Sequence, residues 1–492
     1  MSTFLGQVHG NTAPADDTAE PSGWTEGVYI SRRNQLLDTF WLQQIQRSHA
    51  QQPQVQKVPA MNYCSLLIAS WIALCLHLCA ADGAHRLLVA DSESGSIRIL
   101  NLENGDEVQT LELSGPARLY TVGDGRYAFA VQREQNVTNA IDGGLWIEDH
   151  GDHFHAYMRE PVVLDFAIEG AVPTHFVEND GVIAVYNDGA GDASLMRLSE
   201  IRQDNPAVDV VSNGPSHHGV AVPLDDQVLI SIADAGEGLP KGVDLVDLDS
   251  TVLQELHDCP LLHGSATADE LVVFGCGDSV LVINTTESPM EAYNIPSPDG
   301  EEGRVGTVIK HPRWDFFIGN HGSLALSKID VMERSMDVFP VPVDVRGFGF
   351  TSDGYSIVAI TEDGQVHTIS PTDGNITKSV ELIAPYESGT RPALAFAPGR
   401  VVVSDHSTGD IYVLDDESLE TLMVFDADGI PQSMTVVGWE FGDDDDGHDH
   451  DHDDDHDHDD DHDHDHDHDD DHDHDHDHDH DHDHDHGHGD DE

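Results

Sequence analysis

The sequence predicts an all-β fold assembled from repeated short strands. Between residues 85 and 441, helical periodicity is scarce, and runs of about five to eight residues are separated by Gly, Asp, Asn and Pro. One unit recurs: an apolar strand, Asp-Gly, a second strand, a Gly-containing turn, a third strand and a polar fourth. Its starts lie about 40 to 54 residues apart, the spacing of a four-stranded propeller blade. These starts fall near Ala117, Ala171, Ser216, Leu261, Arg304, Val345, Arg391 and Pro431.

The two ends of this repeat complement each other. The last unit supplies one strand, Ser433 to Val437, whereas the segment from Arg86 to Leu113 supplies three strands but no first one. Pairing them would close a ring and leave no sheet edge exposed. We therefore predict a β-propeller of eight four-stranded blades over residues 84–442, closed by the N- and C-terminal strands. Seven blades is the alternative, since the second and sixth unit starts are indistinct, and a pair of β-sandwiches is the rival fold.

The amino-terminal region resembles a leader that follows an extension. Residues 1–60 are polar, Gln-rich and unpatterned, and we interpret them as a non-native or disordered extension. Met61 then precedes an apolar run from Leu66 to Cys79 and two small residues, which is typical of a signal peptide over residues 61–83. A signal anchor and a lipoprotein site at Cys79 are the alternatives. We expect export to a periplasm-like space and no stable membrane association after cleavage.

Charge and cysteine content fit an exported protein that does not bind polyanions. The formal net charge is −72, with 94 Asp and Glu against 22 Lys and Arg. Such a balance argues against nucleic acid and anionic membrane surfaces as partners, although a salt-adapted host would also explain it. Cys259 and Cys276 would remain after signal cleavage, a pair compatible with a disulfide in an oxidising compartment.

The carboxyl-terminal tail, residues 443–492, contains 28 Asp, 18 His, three Gly and one Glu. It has no apolar residue to bury, so we expect it to be disordered. Imidazole suits zinc, copper or nickel, and carboxylates add charge and oxygen ligands. We predict several weak metal sites here, as at His448, His450 and His452. A solvated tail that only improves solubility is the alternative.

Histidines in the body concentrate at one predicted mouth of the ring. In each blade, the start of the innermost strand and the loop between strands two and three surround the same end of the central channel. Three or four imidazoles with an Asp would form a tetrahedral zinc site there. For any one histidine the alternative is a hydrogen-bonded channel residue. Innermost strands open with His175, His217, His218 and His263, and the second-to-third loops contain His321 and His406.

A second cluster lies inside the unusually long first unit. Asp149, His150, Asp152, His153 and His155 fall within seven residues. On a strand, His153 and His155 point the same way and can reach one ion, while the neighbouring residues complete or orient the site. Its position between the third and fourth strands predicts the face opposite the channel-mouth histidines. The segment is also long enough to fold elsewhere, so joining the channel-mouth cluster is the alternative position. A solvated loop is the alternative.

The sequence favours binding over catalysis. It contains no HExxH, CxxC, P-loop or GxSxG motif, and nothing in it arranges an acid and a base against a substrate pocket. We therefore expect a metal-binding protein and not an enzyme. A metal-dependent propeller enzyme of copper or quinoprotein type and a passive metal store remain alternatives.

Three internal motifs and the tail resemble one family. The segments 149–155, 216–219 and 262–264, together with the His/Asp tract, resemble the AztD-type periplasmic zinc metallochaperones. The resemblance implies a β-propeller that binds one or two Zn²⁺ ions tightly and passes zinc to the solute-binding protein of a zinc ABC importer. By motif match it implies zinc ligation by His153 and His155, and also by His217, His218 and His263.

Overall fold

A computed structural model describes residues 83–440 of the chain, except 124, 150–153, 204, 235–237 and 387–390. In these residues the strands form eight four-stranded sheets and one two-stranded hairpin, and the helices are two short 3-10 turns, Arg133–Gln135 and Leu198–Glu200. No helix in this part of the chain is long and apolar enough to cross a membrane. The predictions for residues 1–60, for the signal peptide up to residue 82 and for the tail fall outside the described residues.

The strands, in chain order, are β1 (Gly83–Asp91), β2 (Ser96–Asn101), β3 (Glu107–Glu112), β4 (Arg118–Val122), β5 (Tyr127–Gln132), β6 (Val137–Asp142), β7 (Leu145–Asp149), β8 (Phe154–Met158), β9 (Val162–Glu169), β10 (Pro173–Asn179), β11 (Val182–Asn187), β12 (Asp192–Arg197), β13 (Asp209–Ser212), β14 (Ala221–Leu224), β15 (Gln227–Ser231), β16 (Gly242–Asp247), β17 (Val252–His257), β18 (Ser265–Ala268), β19 (Leu271–Gly275), β20 (Ser279–Asn284), β21 (Glu291–Pro296), β22 (Val308–Lys310), β23 (Phe317–Asn320), β24 (Ala325–Asp330), β25 (Ser335–Pro340), β26 (Val345–Phe350), β27 (Ile357–Thr361), β28 (Gln365–Ile369), β29 (Ile376–Glu381), β30 (Leu394–Ala397), β31 (Arg400–Ser404), β32 (Asp410–Asp415), β33 (Thr421–Asp426) and β34 (Pro431–Glu440).

The eight sheets are the blades of a β-propeller, as predicted. Seven of them follow the chain in simple order, with strands β4-β5-β6-β9, β10 to β13, β14 to β17, β18 to β21, β22 to β25, β26 to β29 and β30 to β33. The first strand of each begins within about five residues of a predicted unit start, because the Gly- and Asp-rich turns mark the strand ends. The blade count is eight and not seven.

The eighth sheet closes the ring with strands from both ends of the chain. Its order is β3-β2-β1-β34, and β34 pairs antiparallel with β1 from Glu440 opposite Gly83 to Pro431 opposite Asp91. Successive side chains of β1 point to opposite faces of the sheet. Leu87 consequently packs in one interblade core with Val402, and Leu88 packs in the next with Leu119. The predicted closure, three strands from one end and one from the other, is confirmed.

A hairpin, β7 and β8, extends the first blade between its third and fourth strands. The preceding strand ends at Asp142, which pairs with Tyr127 at the start of β5, just after the innermost strand β4 has ended. The hairpin therefore arises at the edge of the ring where the innermost strands end. Arg86 holds its base by donating to the carbonyl oxygens of Gly143 (2.6 Å) and Arg159 (2.7 Å).

Candidate metal centre

Three histidines from neighbouring blades converge where the innermost strands begin. His175 lies in β10, while His218 and His263 stand just before β14 and β18. The Nε2 atom of His218 is 3.1 Å from that of His175 and 3.2 Å from that of His263, and the three ligand atoms lie within 4.8 Å of one another. Two nitrogens bound tetrahedrally at a zinc distance of about 2.0 Å would stand about 3.3 Å apart. The two distances that involve His218 therefore match those around a single tetrahedral ion. We call these three residues the His triad.

Hydrogen bonds on the far side of two imidazoles fix where their lone pairs point. Nδ1 of His218 donates to Oδ2 of Asp188 (2.8 Å), and Nδ1 of His263 donates to the carbonyl oxygen of Gly306 (2.7 Å). With the proton on Nδ1, each neutral ring presents a bare Nε2 lone pair. The two Nε2 atoms therefore cannot hydrogen-bond to each other across their 3.2 Å separation. A cation between them would convert the repulsion between their lone pairs into two bonds.

The surroundings keep two members of the triad, His175 and His263, uncharged. Burial, reinforced by His263 and His218, lowers the pKa of His175 to about 3, and burial also lowers the pKa of His263. Burial alone would raise the pKa of Asp188, but hydrogen bonds from His218 and Arg133 outweigh it, so this carboxyl has a lowered pKa and stays ionised. Neutral imidazoles are the form that ligates metal.

Glycines after two of the histidines allow the close approach of neighbouring blades. A Cβ atom at Gly219 would collide with the buried ring of Tyr186, so only glycine fits after His218. At Gly264 a Cβ atom would stand 2.8 Å from the carbonyl oxygen of Gly306. That oxygen accepts from the backbone N–H of Gly264 at 3.1 Å as well as from the ring of His263. The His-Gly pairs of the sequence are therefore packing devices that set the imidazole positions.

A disulfide braces the loop that carries His263. Cys259 and Cys276 are bonded, which confirms the predicted pair. The backbone N–H of His263 donates to the carbonyl oxygen of Gly275 (3.1 Å), next to Cys276. The cross-link and this hydrogen bond tie the histidine to the second strand of its own blade.

The triad opens into a cavity of about 490 Å³. A zinc ion on three imidazoles keeps a fourth position for an incoming ligand, and this cavity supplies the space. Besides the triad, the lining includes Arg118, Arg133, Glu134, Thr174, Arg391 and Gln432.

Comparisons with known proteins identify the family. No protein-family model matches the chain. The zinc chaperone AztD of Citrobacter koseri is 30% identical over 367 residues, which span 72% of this chain and 87% of that protein. The chain belongs to the AztD zinc chaperone family. The structure of apo AztD from Citrobacter koseri superposes with a TM-score of 0.69 at 28% identity, covering 72% of this chain and 98% of that one. A second crystal structure of Citrobacter koseri AztD gives 0.70 at 28% identity, covering 73% and 99%.

Two of the residues suggested by the AztD resemblance, His218 and His263, lie in the triad, whereas His217 does not. Nδ1 of His217 donates to the carbonyl oxygen of Pro215 (2.8 Å), which leaves Nε2 as an acceptor, 2.9 Å from the hydroxyl of Tyr186 and 3.0 Å from that of Ser231. All of its ring hydrogen-bonding capacity is used within this network. The structure thus places His217 as a hydrogen-bonded residue beside the triad.

The two loop histidines also stand apart from the triad. His321 is buried, and its Nε2 hydrogen-bonds to the hydroxyl of Ser297 (3.0 Å). His406 lines a different cavity, together with Arg118 and Arg346. Among the described residues, neither joins a group of three ligand atoms that would hold a metal.

The hairpin cluster is only partly within the described residues. His155 lies in β8 opposite Glu148, with its ring centroid 6.3 Å from that of Tyr157. The base of the hairpin is at the ring edge opposite the triad, as its place in the blade predicted. His150, Asp152 and His153, the side chain of Asp149, and the tail residues His448, His450 and His452 fall outside the described part. Metal binding at both places stays a prediction.

Sequence reasoning missed the carboxylate behind the triad. Asp188 lies in the second-to-third loop of the blade that contains His175, and loops of this kind were predicted to surround the channel mouth. Arg133, from the preceding blade, donates to the same carboxylate at 2.9 Å. The position of Asp188 was visible in the sequence. Its role depends on contacts between blades, which no local pattern reveals.

Proposed function

We propose that this protein is a zinc chaperone that holds one Zn²⁺ on His175, His218 and His263. The observation that carries the proposal is the pair of Nε2 lone pairs of His218 and His263, fixed 3.2 Å apart by their Nδ1 hydrogen bonds. Such an arrangement is unfavourable without a cation. Membership of the AztD family supports zinc as the ion. The name of the relative, a chaperone, supports binding without catalysis.

The open fourth position suits transfer. An incoming ligand can add to a three-histidine zinc ion before another ligand leaves, so exchange does not require the bare ion in water. We infer that the recipient is the solute-binding protein of a zinc ABC importer, and that the His/Asp tail raises the local zinc concentration. A second ion at residues 149–155 remains part of this proposal.

Zinc binding is tested with the full chain and its His263→Gln variant, using competition against a chelator strong enough to empty weak sites. We expect the wild type to retain one tight ion that the variant loses. His367→Gln is the matched control, because His367 is also buried but hydrogen-bonds to Thr361 and Ser379. If His263→Gln binds as many tight ions as wild type, binding lies elsewhere and a metal store dominated by the tail is supported.

Transfer is tested by mixing zinc-loaded protein with an apo solute-binding protein. We expect the recipient to fill faster than it does from free zinc buffered at the same activity. Equal filling rates from the zinc-loaded protein and from free zinc would mean that the protein only stores zinc and does not transfer it directly.

We further propose a periplasmic location, reached through a signal peptide that starts at Met61. The disulfide between Cys259 and Cys276 supports an oxidising compartment. N-terminal sequencing of the exported protein should find a start close to residue 84, and a start before residue 61 would contradict the proposal.

A further inference from the structure

Arginines gather around the His triad of a strongly acidic chain. The chain has 94 Asp and Glu but only 22 Lys and Arg. Arg118, Arg133 and Arg391 nevertheless line the triad cavity. A second cavity is lined by Arg118, Arg346 and Arg391, and a third by Arg304, Arg346 and Arg391. Such a convergence of cations around a proposed cation site has to be explained.

Three of these arginines have no carboxylate partner among the described residues. Arg133 pairs with Asp188, and Arg346 with Asp344 and Glu362. In the described part of the chain, no ion pair joins Asp or Glu to the remaining three. We call these the arginine cluster: Arg118, Arg304 and Arg391.

Arg304 is the most informative member of the arginine cluster. Its Nε donates to the carbonyl oxygen of Leu261 (3.2 Å), but its Nη2 is buried without a hydrogen-bond partner among the described residues. A buried guanidinium donor without an acceptor is destabilising unless a ligand supplies one. Arg304 also lines a cavity together with His263, so a shift of its side chain that turns Nη2 into this cavity would let an anion accept from it.

Electrostatics works against a bare zinc ion at this place. Arg118 lines the cavity that contains all three histidines, and Arg304 lines a cavity together with His263. Their positive charges repel Zn²⁺, and imidazole ligands bring no charge to offset this repulsion. A carboxylate is a ligand for zinc and also the partner of arginine, so it would relieve both problems at once.

We propose that the arginine cluster binds a carboxylate that takes the fourth position of the zinc ion on the His triad. This inference rests on the proposed zinc site. The carboxylate has two sources, an Asp of the tail or a free carboxylate. The tail offers 28 Asp over residues 443–492. The strand before it, β34, ends at Glu440, on the edge of the ring opposite the triad. At about 3.3 Å per extended residue, a chain of this length can span more than about 100 Å, enough to reach the triad from that edge.

The test measures the affinity of the tight zinc ion in the full chain, in wild type and in Arg118→Gln/Arg391→Gln. We expect the double variant to bind zinc at least about tenfold more weakly. Coulomb's law without a bound anion predicts the opposite sign, because removing two positive charges near Zn²⁺ should tighten binding. Unchanged or tighter binding would therefore overturn the proposal.

The charge-matched control is Arg197→Gln/Arg334→Gln. These exposed arginines pair with Asp225, Asp226 and Glu291 and line none of the three channel cavities. We expect zinc affinity to stay within twofold of wild type. Thermal melting of every variant checks folding, and the single Arg391→Gln change, at an exposed position, serves if the double variant does not fold.

Acetate distinguishes the two sources. Sodium acetate replaces sodium nitrate at constant ionic strength and buffered zinc activity. If wild-type affinity rises with acetate and the double variant does not respond, the carboxylate is free. If the double variant is weakened but acetate leaves wild type unchanged, an Asp of the chain already fills the site. Both outcomes support the proposal.

Glu134 is the internal competitor for this role, since it lines the triad cavity without joining the group of three ligand atoms. If Glu134→Gln weakens zinc binding as much as the double variant does, the fourth ligand is Glu134 and the proposal is wrong. If His263→Gln keeps the tight ion, the zinc site itself fails. If His263→Gln loses the ion while the double variant keeps it, only the carboxylate proposal fails.

Discussion

Asp188 decides which lone pair His218 offers to the channel. Its Oδ2 atom accepts from Nδ1 of His218 at 2.8 Å and from Arg133 at 2.9 Å, and its side chain is only 8% exposed. A buried carboxylate holds the imidazole in one tautomer and makes its Nε2 a better donor to metal. Asp188 therefore acts on zinc through His218 and is a positioning residue.

Replacing Asp188 by Asn should weaken zinc binding by about 10- to 100-fold. The amide oxygen can still accept from Nδ1 of His218, but the charge that favours this tautomer and holds Arg133 is lost. Chelator competition measures the affinity, and thermal melting verifies the fold.

Asp244→Asn is the control for that change. Asp244 is equally buried and hydrogen-bonds to His257 at 2.7 Å, but His257 is not in the triad. We expect its zinc affinity to match wild type. Equal losses in both variants would mean that Asp188 acts on stability alone.

At the scale of elements, turn chemistry made the blades predictable. Gly and Asp mark the strand ends, so the starts of the innermost strands could be placed within a few residues, and with them His175, His218 and His263 at one mouth. Side-chain direction was harder to infer. His217 and His218 are adjacent in the loop before β14, yet only the side chain of His218 belongs to the triad. The side chain of His217 hydrogen-bonds to Tyr186 of the neighbouring blade instead.

The loop between β17 and β18 has its own stabilising device. The disulfide links residues 17 apart in sequence. Closing a loop of this size lowers the conformational entropy of the unfolded chain, which stabilises the folded protein by about 3 kcal/mol. His263 stands inside that closed loop. Both the stability of the blade and the position of this ligand should therefore depend on the cross-link.

The variant with Cys259→Ser and Cys276→Ser together should unfold at lower urea concentration, with a loss of about 2 to 4 kcal/mol. Zinc affinity should also fall, because His263 is ordered by the same loop. Equilibrium unfolding of the zinc-free protein and chelator competition measure the two effects separately. Unchanged zinc affinity despite lower stability would show that the hydrogen bond from His263 N–H to Gly275 O is sufficient.

At the scale of the whole molecule, ring closure joins residues that are more than 300 positions apart. β34 and β1 seal the eighth blade, and Thr121 of β4 hydrogen-bonds to the carbonyl oxygen of Val436 (2.7 Å) across the next interblade contact. The triad is held between blades, so its geometry depends on a closed ring. Sequence alone could establish the closure, because the missing strand at one end matched the extra strand at the other.

Gly438 is the tightest point of this closure. Its φ is +151°, and a Cβ atom there would overlap the carbonyl oxygen of Ala84 and stand 2.8 Å from Cα of His85. Gly438→Ala should cost about 1 to 3 kcal/mol from this overlap, in addition to the backbone strain. The control is Gly399→Ala, where φ is +67° but nothing lies within 4 Å of the added Cβ, so only the backbone strain is introduced.

Calorimetry in the presence and absence of zinc separates closure from binding. We expect Gly438→Ala to melt at lower temperature than Gly399→Ala in the zinc-free state. Zinc at about 100 times its Kd should then raise the free energy of unfolding of both variants by about 2.7 kcal/mol, as in wild type, because zinc binds only the folded ring. The effects of zinc and of a distant substitution on this free energy should simply add. A smaller zinc gain in Gly438→Ala would mean that closing the eighth blade also sets the geometry of the His triad, so that closure and metal binding are coupled through the ring.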